Sequence, residues 1–181
     1  HYQFETAHPF LDGNGRLGRL LITLMLINDG VLHSCLFYPS FQFKKNRSEY
    51  YRQLTSVRER GTYEEWIEFF CNSLLESAKD SVGSLKNLVD LHNRSTATIT
   101  ENLGRTAANG QRLLGILEEH PIVDTAFIAA QLDIGRSTAS SLVKSFEELG
   151  ILRPLDESRQ RYRQYGYEEY LSILREDAEP I

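Results

Sequence analysis

Twelve consecutive residues hold most of the chemistry this chain can do: His8-Pro9-Phe10-Leu11-Asp12-Gly13-Asn14-Gly15-Arg16-Leu17-Gly18-Arg19. Histidine is the side chain whose unperturbed pKa lies near neutrality, so His8 can take a proton from an attacking hydroxyl. Asp12 supplies a carboxylate, and magnesium needs only one or two of these beside phosphate oxygens and water. Gly13, Asn14 and Gly15 let the backbone turn tightly and come close to a ligand. A helix opening after such a turn points free N–H groups and its positive dipole end at an anion. Arg16 and Arg19 add forked cationic donors that suit phosphate oxygens. Taken singly, these residues describe a polar turn and a solvated helix face. Taken together, they describe a phosphoryl- or nucleotidyl-transfer site, because a plain turn needs no His, Asp and paired Arg at these offsets. Phe10 is the exception, expected to anchor the loop in the core.

The run resembles the signature of the Fic family within the Fic/Doc superfamily, H-x-F-x-[DE]-G-N-G-R-x-x-R. Its fixed positions are filled by His8, Phe10, Asp12, Gly13, Asn14, Gly15, Arg16 and Arg19. The flanks are similar too: His1 to Thr6 look like the helix entering the family's loop. Asn46 to Leu54, with Trp66, Phe69 and Phe70, look like its later helices. The resemblance implies a protein adenylyltransferase that moves AMP from ATP to a hydroxyl side chain of a target protein. It makes His8 the general base and Asp12 the ligand of Mg2+ bridging the α- and β-phosphates. Backbone N–H groups of Gly13, Asn14 and Gly15 would cradle those phosphates, with the Asn14 side chain assisting. Arg16 would hold the β-phosphate and Arg19 the γ-phosphate. Asn46 and Tyr50 are candidate neighbours of the nucleotide base, with Tyr50 alternatively a plain core residue.

The family's inhibitory motif, [ST]-x-x-x-E-[GN], supplies a glutamate that pairs with the second arginine. Thr55 to Arg60 comes nearest, but Arg60 stands where Gly or Asn is required. Residue 1 is His, and the motif follows within a few positions. The chain therefore reads as a fragment that lacks the family's earlier helices and β-hairpin flap, with the inhibitory motif in the missing part. A fragment of this kind is expected to transfer AMP poorly.

The elements that must position the motif read as mostly helical. Leu17 to Ile27 is apolar nearly all round, which predicts a central buried helix, stopped at Asp29-Gly30. Pro39-Ser40 opens a helix running to about Arg60 and ending at Gly61. Thr62 and Glu65 have capping-box spacing. Trp66, Phe69, Phe70, Leu74, Ala78, Val82, Leu85 and Val89 then form a core stripe at helical spacing. Asn93 to Asn109 is rich in Ser, Thr and Asn and reads as frayed helix or linker.

From about Thr106 the pattern changes. A helix through Leu113, Leu114, Ile116 and Leu117 ends at His120-Pro121. Asp124 caps a second helix, Asp133-Ile134-Gly135 turns, and Ser137 caps a third that ends at Gly150. Two short strands, Ile151 to Leu155 and Tyr162 to Tyr167, flank a polar turn. Tyr167 to Leu171 closes the chain as a helix. This resembles the winged-helix modules that many bacterial Fic proteins carry. The expected fold is thus mainly α: a partial Fic-type bundle over residues 1–104, then a winged helix-turn-helix with a small β-hairpin over 105–181. Candidate DNA contacts are Arg136, Ser137 and Lys144 on the third helix and Arg159 and Arg161 on the wing, with Thr138, Ser140, Ser141 and Arg163 beside them. Residues 105–181 hold nine Lys/Arg against thirteen Asp/Glu. That balance opposes DNA, whose binding draws on phosphate neutralisation, and favours a protein partner or a second copy of the chain.

The chain has 181 residues and a formal net charge of −5, with no global field to attract nucleic acid or membrane. Cys35 and Cys71 lie in apolar stretches and read as reduced, buried residues of a cytoplasmic protein. Neither has the spacing of a metal site, and no apolar run is long enough for a membrane span. Two rival functions remain: γ-phosphate transfer as in the Doc branch, and a DNA-binding regulator with the Fic part as a dimer scaffold. The Doc branch departs from Gly-Asn-Gly and has Lys near the first arginine, so Gly15-Arg16 argues against it.

Overall fold

In a computed structural model, residues 1–33, 39–156 and 163–176 are described. The chain is mainly α with one small antiparallel sheet. It divides into two compact units that meet in sequence at Ser84 and Leu85.

In the first unit, α1 (Tyr2–Ala7) leads through the motif loop into α2 (Asn14–Asn28). Then come α3 (Ser40–Lys45), α4 (Arg47–Arg60) and the start of α5 (Tyr63–Asn102). Gly61 ends α4 in the left-handed region at φ 72°, where glycine carries no steric cost. The core gathers Ile22, Phe43, Tyr50, Leu54, Val57 and Trp66, with Phe69, Phe70 and Leu74 against it.

Several expectations need correction here. The helix expected from Ser40 to Arg60 is two helices broken at Asn46, whose backbone leaves the helical region. α2 is not buried all round: Gly18, Ile22 and Thr23 are covered, while Leu17, Leu20, Leu24 and Met25 are exposed. Its apolar residues cover more of the circumference than the first unit's described core takes up. The α5 stripe packs only through Trp66, Phe69, Phe70 and Leu74; Val82, Leu85 and Val89 are exposed. Cys71 is free and exposed, because the core takes its neighbours Phe70 and Leu74 on the other face. Cys35 lies outside the described residues.

In the second unit α5 runs unbroken to Asn102, so most of the frayed helix or linker expected from Asn93 is regular helix. Leu91, Ser95 and Ile99 recur every fourth residue, and all three are buried. That packing outweighs the modest propensity of the Thr and Asn between them. A 3-10 turn at Gly104–Thr106 leads into α6 (Ala107–Glu119), then β1 (Ile122–Asp124), α7 (Thr125–Leu132) and α8 (Arg136–Glu148). β2 (Arg153–Pro154), β3 (Gln164–Gly166) and α9 (Glu168–Glu176) follow. β3 lies between β1 and β2, pairing Val123 with Tyr165 and Arg153 with Gly166. β1 is an element the sequence pattern does not reveal, and the two expected strands are shorter than drawn. Asp124 caps α7 as expected, accepting from the Phe127 N–H at 2.7 Å. Ser137 does not cap α8: Gly135 holds that position and Ser137 is inside the helix. Helix, strand, two helices and then two antiparallel paired strands succeed one another in this unit.

Candidate active site

The motif loop lies between two residues in the left-handed region. His8 ends α1 at φ 46°, and Gly13 precedes α2 at φ 81°. For glycine this costs little, whereas a non-glycine residue such as His8 is held there by its surroundings. Its N–H reaches the Phe4 carbonyl at 3.0 Å, closing the helix end. Its Nδ1 lies 3.4 Å from the Glu5 carbonyl, and the side chain is exposed.

Asn14 closes the loop. Its side chain is 2% exposed. Oδ1 accepts from the Phe10 N–H at 2.9 Å, and Nδ2 donates to the Phe10 carbonyl at 2.5 Å. The amide is thus engaged with the Phe10 backbone. The expectation for Phe10 is corrected. Its backbone is clamped, but its ring is 53% exposed and rests against Phe4 with centroids 6.4 Å apart.

The Gly13 N–H points at Asp12 Oδ1, 2.6 Å away, rather than outward. The donors that α2 presents at its start are therefore those of Asn14, Gly15 and Arg16, which have no intrahelical acceptor. Asp12 is almost fully exposed, and its Oδ2 lies 3.6 Å from an Arg16 terminal nitrogen. Exposed pairs of this kind contribute about 0–1 kcal/mol, so little holds the carboxylate away from a cation. Among the described residues no cluster of three or more His, Cys, Asp or Glu could hold a metal. A lone carboxylate beside phosphate donors fits a magnesium that arrives with its nucleotide. Arg19 lies back along α2: its Nη1 is 3.2 Å from the point where a Cβ on Gly15 would stand.

Beneath the loop is a residue that motif reading misses. Glu5 of α1 is buried, and its Oε1 meets neither solvent nor a hydrogen-bond partner. It presses on Gly18, where a Cβ would come within 2.0 Å of that oxygen. Burial pushes the Glu5 carboxyl above the usual range, against the opposing pull of Arg19 and then His8. Tyr50 is buried beside it, and burial and the Glu5 charge raise its phenol further. The Tyr50 hydroxyl lies 3.0 Å from Nε2 of His1, whose Nδ1 donates to the Gly18 carbonyl at 3.0 Å. Tyr50 thus belongs to the support of α2, and Asn46 is an exposed residue between α3 and α4. The sequence signal for this layer is Gly18 itself, a glycine inside a helix where a close approach is the usual reason.

In the second unit, Arg136, Ser137, Thr138, Ser140, Ser141 and Lys144 are all exposed on α8. Ser137 and Lys144 share a face, and Lys144 lies 3.7 Å from Glu148. Arg159 and Arg161 lie outside the described residues. No helix among the described residues is long and apolar enough to cross a membrane.

The family-model comparison falls on the same segment. Residues 1–26 match the Fic/DOC family model. The protein adenylyltransferase fic-1 of Caenorhabditis elegans is 31% identical over 90 residues, covering 50% of this chain and 16% of that protein. A probable protein adenylyltransferase of Aquifex aeolicus (strain VF5) is 37% identical over 59 residues, 33% of this chain and 16% of its own length. The protein adenylyltransferase Fic of Drosophila grimshawi is 35% identical over 72 residues, 40% of this chain and 14% of that protein. The matched stretches thus span about a sixth of these relatives. The segment that builds the turn, residues 1–26, is thus similar to the Fic/DOC family.

Proposed function

We propose that the chain carries the nucleotide-handling site of a protein adenylyltransferase, which transfers AMP from ATP to a hydroxyl side chain of a target protein. One observation carries the reading: the buried Asn14 clamp on Phe10, which sets an exposed His8 and an exposed Asp12 on a loop opening directly into α2. The names of the relatives support the same reaction class.

In this reading the N–H groups of Asn14, Gly15 and Arg16 bind the α- and β-phosphates at the start of α2. The Arg16 guanidinium neutralises the β-phosphate and Arg19 the γ-phosphate. His8 takes the proton of the attacking Ser, Thr or Tyr hydroxyl as the new bond to the α-phosphorus forms. Pyrophosphate leaves as the bond to the bridging oxygen breaks. Positioning and charge stabilisation supply most of the rate in such transfers. Asp12 would hold magnesium, which supplies charge neutralisation at the phosphates. The second unit we read as a module that positions a protein partner or a second copy, since residues 105–181 are net acidic.

The test uses the full-length protein with a cell lysate and ATP labelled at either the α- or the γ-phosphate. Adenylyl transfer puts α-label, and no γ-label, on a protein band. Label from the γ-phosphate alone would replace this reading with phosphotransfer of the Doc type.

A further inference from the structure

His1 stands among the aromatic rings of the first unit. Its imidazole lies within 6.2 Å, centroid to centroid, of Phe43, Tyr50, Trp66 and Phe70. An apolar ring would fill that space without bringing polar nitrogens into it. Both nitrogens are used. Nδ1 is 3.0 Å from the Gly18 carbonyl, which can only accept, so Nδ1 carries the proton. In the neutral ring Nε2 then accepts from the Tyr50 O–H at 3.0 Å. The imidazole thus joins α2 at Gly18 to α4 at Tyr50. Phe4 and Glu5 meet the same glycine: a Cβ on Gly18 would clash with Glu5 Oε1 and come within 3.2 Å of Phe4 Cδ1. Residues 1, 4 and 5 have the spacing of one helix face. His8 stands at the far end of that helix, since His1 is the N-cap of α1 and His8 its C-cap. Backbone bonds from Glu5 N–H to the His1 carbonyl and from His8 N–H to the Phe4 carbonyl, both 3.0 Å, make the connection continuous. A helix of this length measures about 9 Å. One short, stiff element therefore links a pin on α2 to the candidate base.

We propose that His1 is a positioning residue of the transfer site. Its imidazole pins the start of α1 to Gly18 and Tyr50, and α1 carries that registration to His8, setting the base against the turn at the start of α2. Gly18 is what lets α1 approach α2 closely enough for the pin to form. This rests on the adenylyltransferase reading above.

In the full-length protein, His1→Phe keeps a ring among the aromatic neighbours and removes both hydrogen bonds. With saturating ATP and a cell lysate, the rate at which α-phosphate label reaches protein should fall about tenfold or more, the scale of a misplaced catalytic group. ATP affinity, read by calorimetric titration, should stay at the parental level, because the phosphate donors belong to α2. A role in stability alone would not separate rate from affinity in this way. Tyr50→Phe removes one hydroxyl and leaves the packing filled. It should lower the rate with the same selectivity, so the inference does not hang on one variant. The double variant should lose less than the product of the single losses, since both break one connection. Thermal melts establish that each variant is folded at the assay temperature, and Tyr50→Phe carries the test if His1→Phe is not. A parental rate in the folded variants, a loss of ATP affinity as large as the loss of rate, or independent losses in the double variant would each overturn the proposal. A parental protein that transfers no AMP would sink the transferase reading and this proposal with it. Parental transfer with indifferent His1→Phe and Tyr50→Phe sinks this proposal alone.

Discussion

Asn14 holds both backbone hydrogen-bonding groups of Phe10 with one buried side chain, at 2.9 and 2.5 Å. The residue that opens α2 thereby sets the shape of the loop that His8 and Asp12 stand on. Replacing it by Ala removes the partner of two backbone groups in a partly buried loop. Asn14→Ala should destabilise the fold by about 1–3 kcal/mol. It should also weaken nucleotide binding more than an exposed substitution at Leu11 does. Denaturant melts beside ATP titrations check both. Unchanged stability would mean the clamp has no energetic weight.

Glu5 carries a pH signature opposite to that of an ordinary ion-paired carboxylate. Its folded pKa is raised, chiefly by burial. Folding therefore favours the protonated form. The stability Glu5 contributes is fully present below the unfolded carboxylate range and is lost as pH rises through the raised folded value. Glu5→Gln should accordingly match or exceed the parental melting temperature at neutral pH, and that advantage should vanish in acid. A variant that melts lower at neutral pH, and recovers in acid, would contradict the sign.

The second unit offers a cleaner test of local structure. Asp124 caps α7 through the Phe127 N–H at 2.7 Å. Asp124→Ala should cost about 1 kcal/mol, while Asp124→Asn or Asp124→Ser should retain most of the stability. Equal losses in all three would show that the carboxylate does something other than cap.

What sequence reveals of this chain follows from how local each feature is. The candidate turn is legible because His8, Asp12, Gly13, Asn14, Gly15 and the two arginines lie within one short run. The α7 cap is legible for the same reason, with donor and acceptor three residues apart. Glu5 is not, because its meaning comes from a contact with Gly18 on another helix. The continuity of α5 through Ser95 and Ile99 is hidden too. It depends on burial, including a hydroxyl pair between Ser95 and Tyr167 at 2.8 Å, which residue preference does not encode. β1 is three residues long and is defined by its partner β3, so no periodicity announces it. The exposure of Phe10 reverses an expectation drawn from residue type, since the loop is anchored by the Phe10 backbone and not by its ring.

The central claim is that His8 deprotonates a protein hydroxyl as AMP is transferred, and mass spectrometry of target proteins tests it most directly. Full-length parental protein and His8→Ala are each incubated with ATP, magnesium and a cell lysate. The account predicts a Ser, Thr or Tyr side chain heavier by one AMP with the parental protein. With His8→Ala it predicts a loss of about 10²-fold or more, the contribution expected of a general base, while ATP binding persists. Adduct formation at the parental rate by His8→Ala would contradict it.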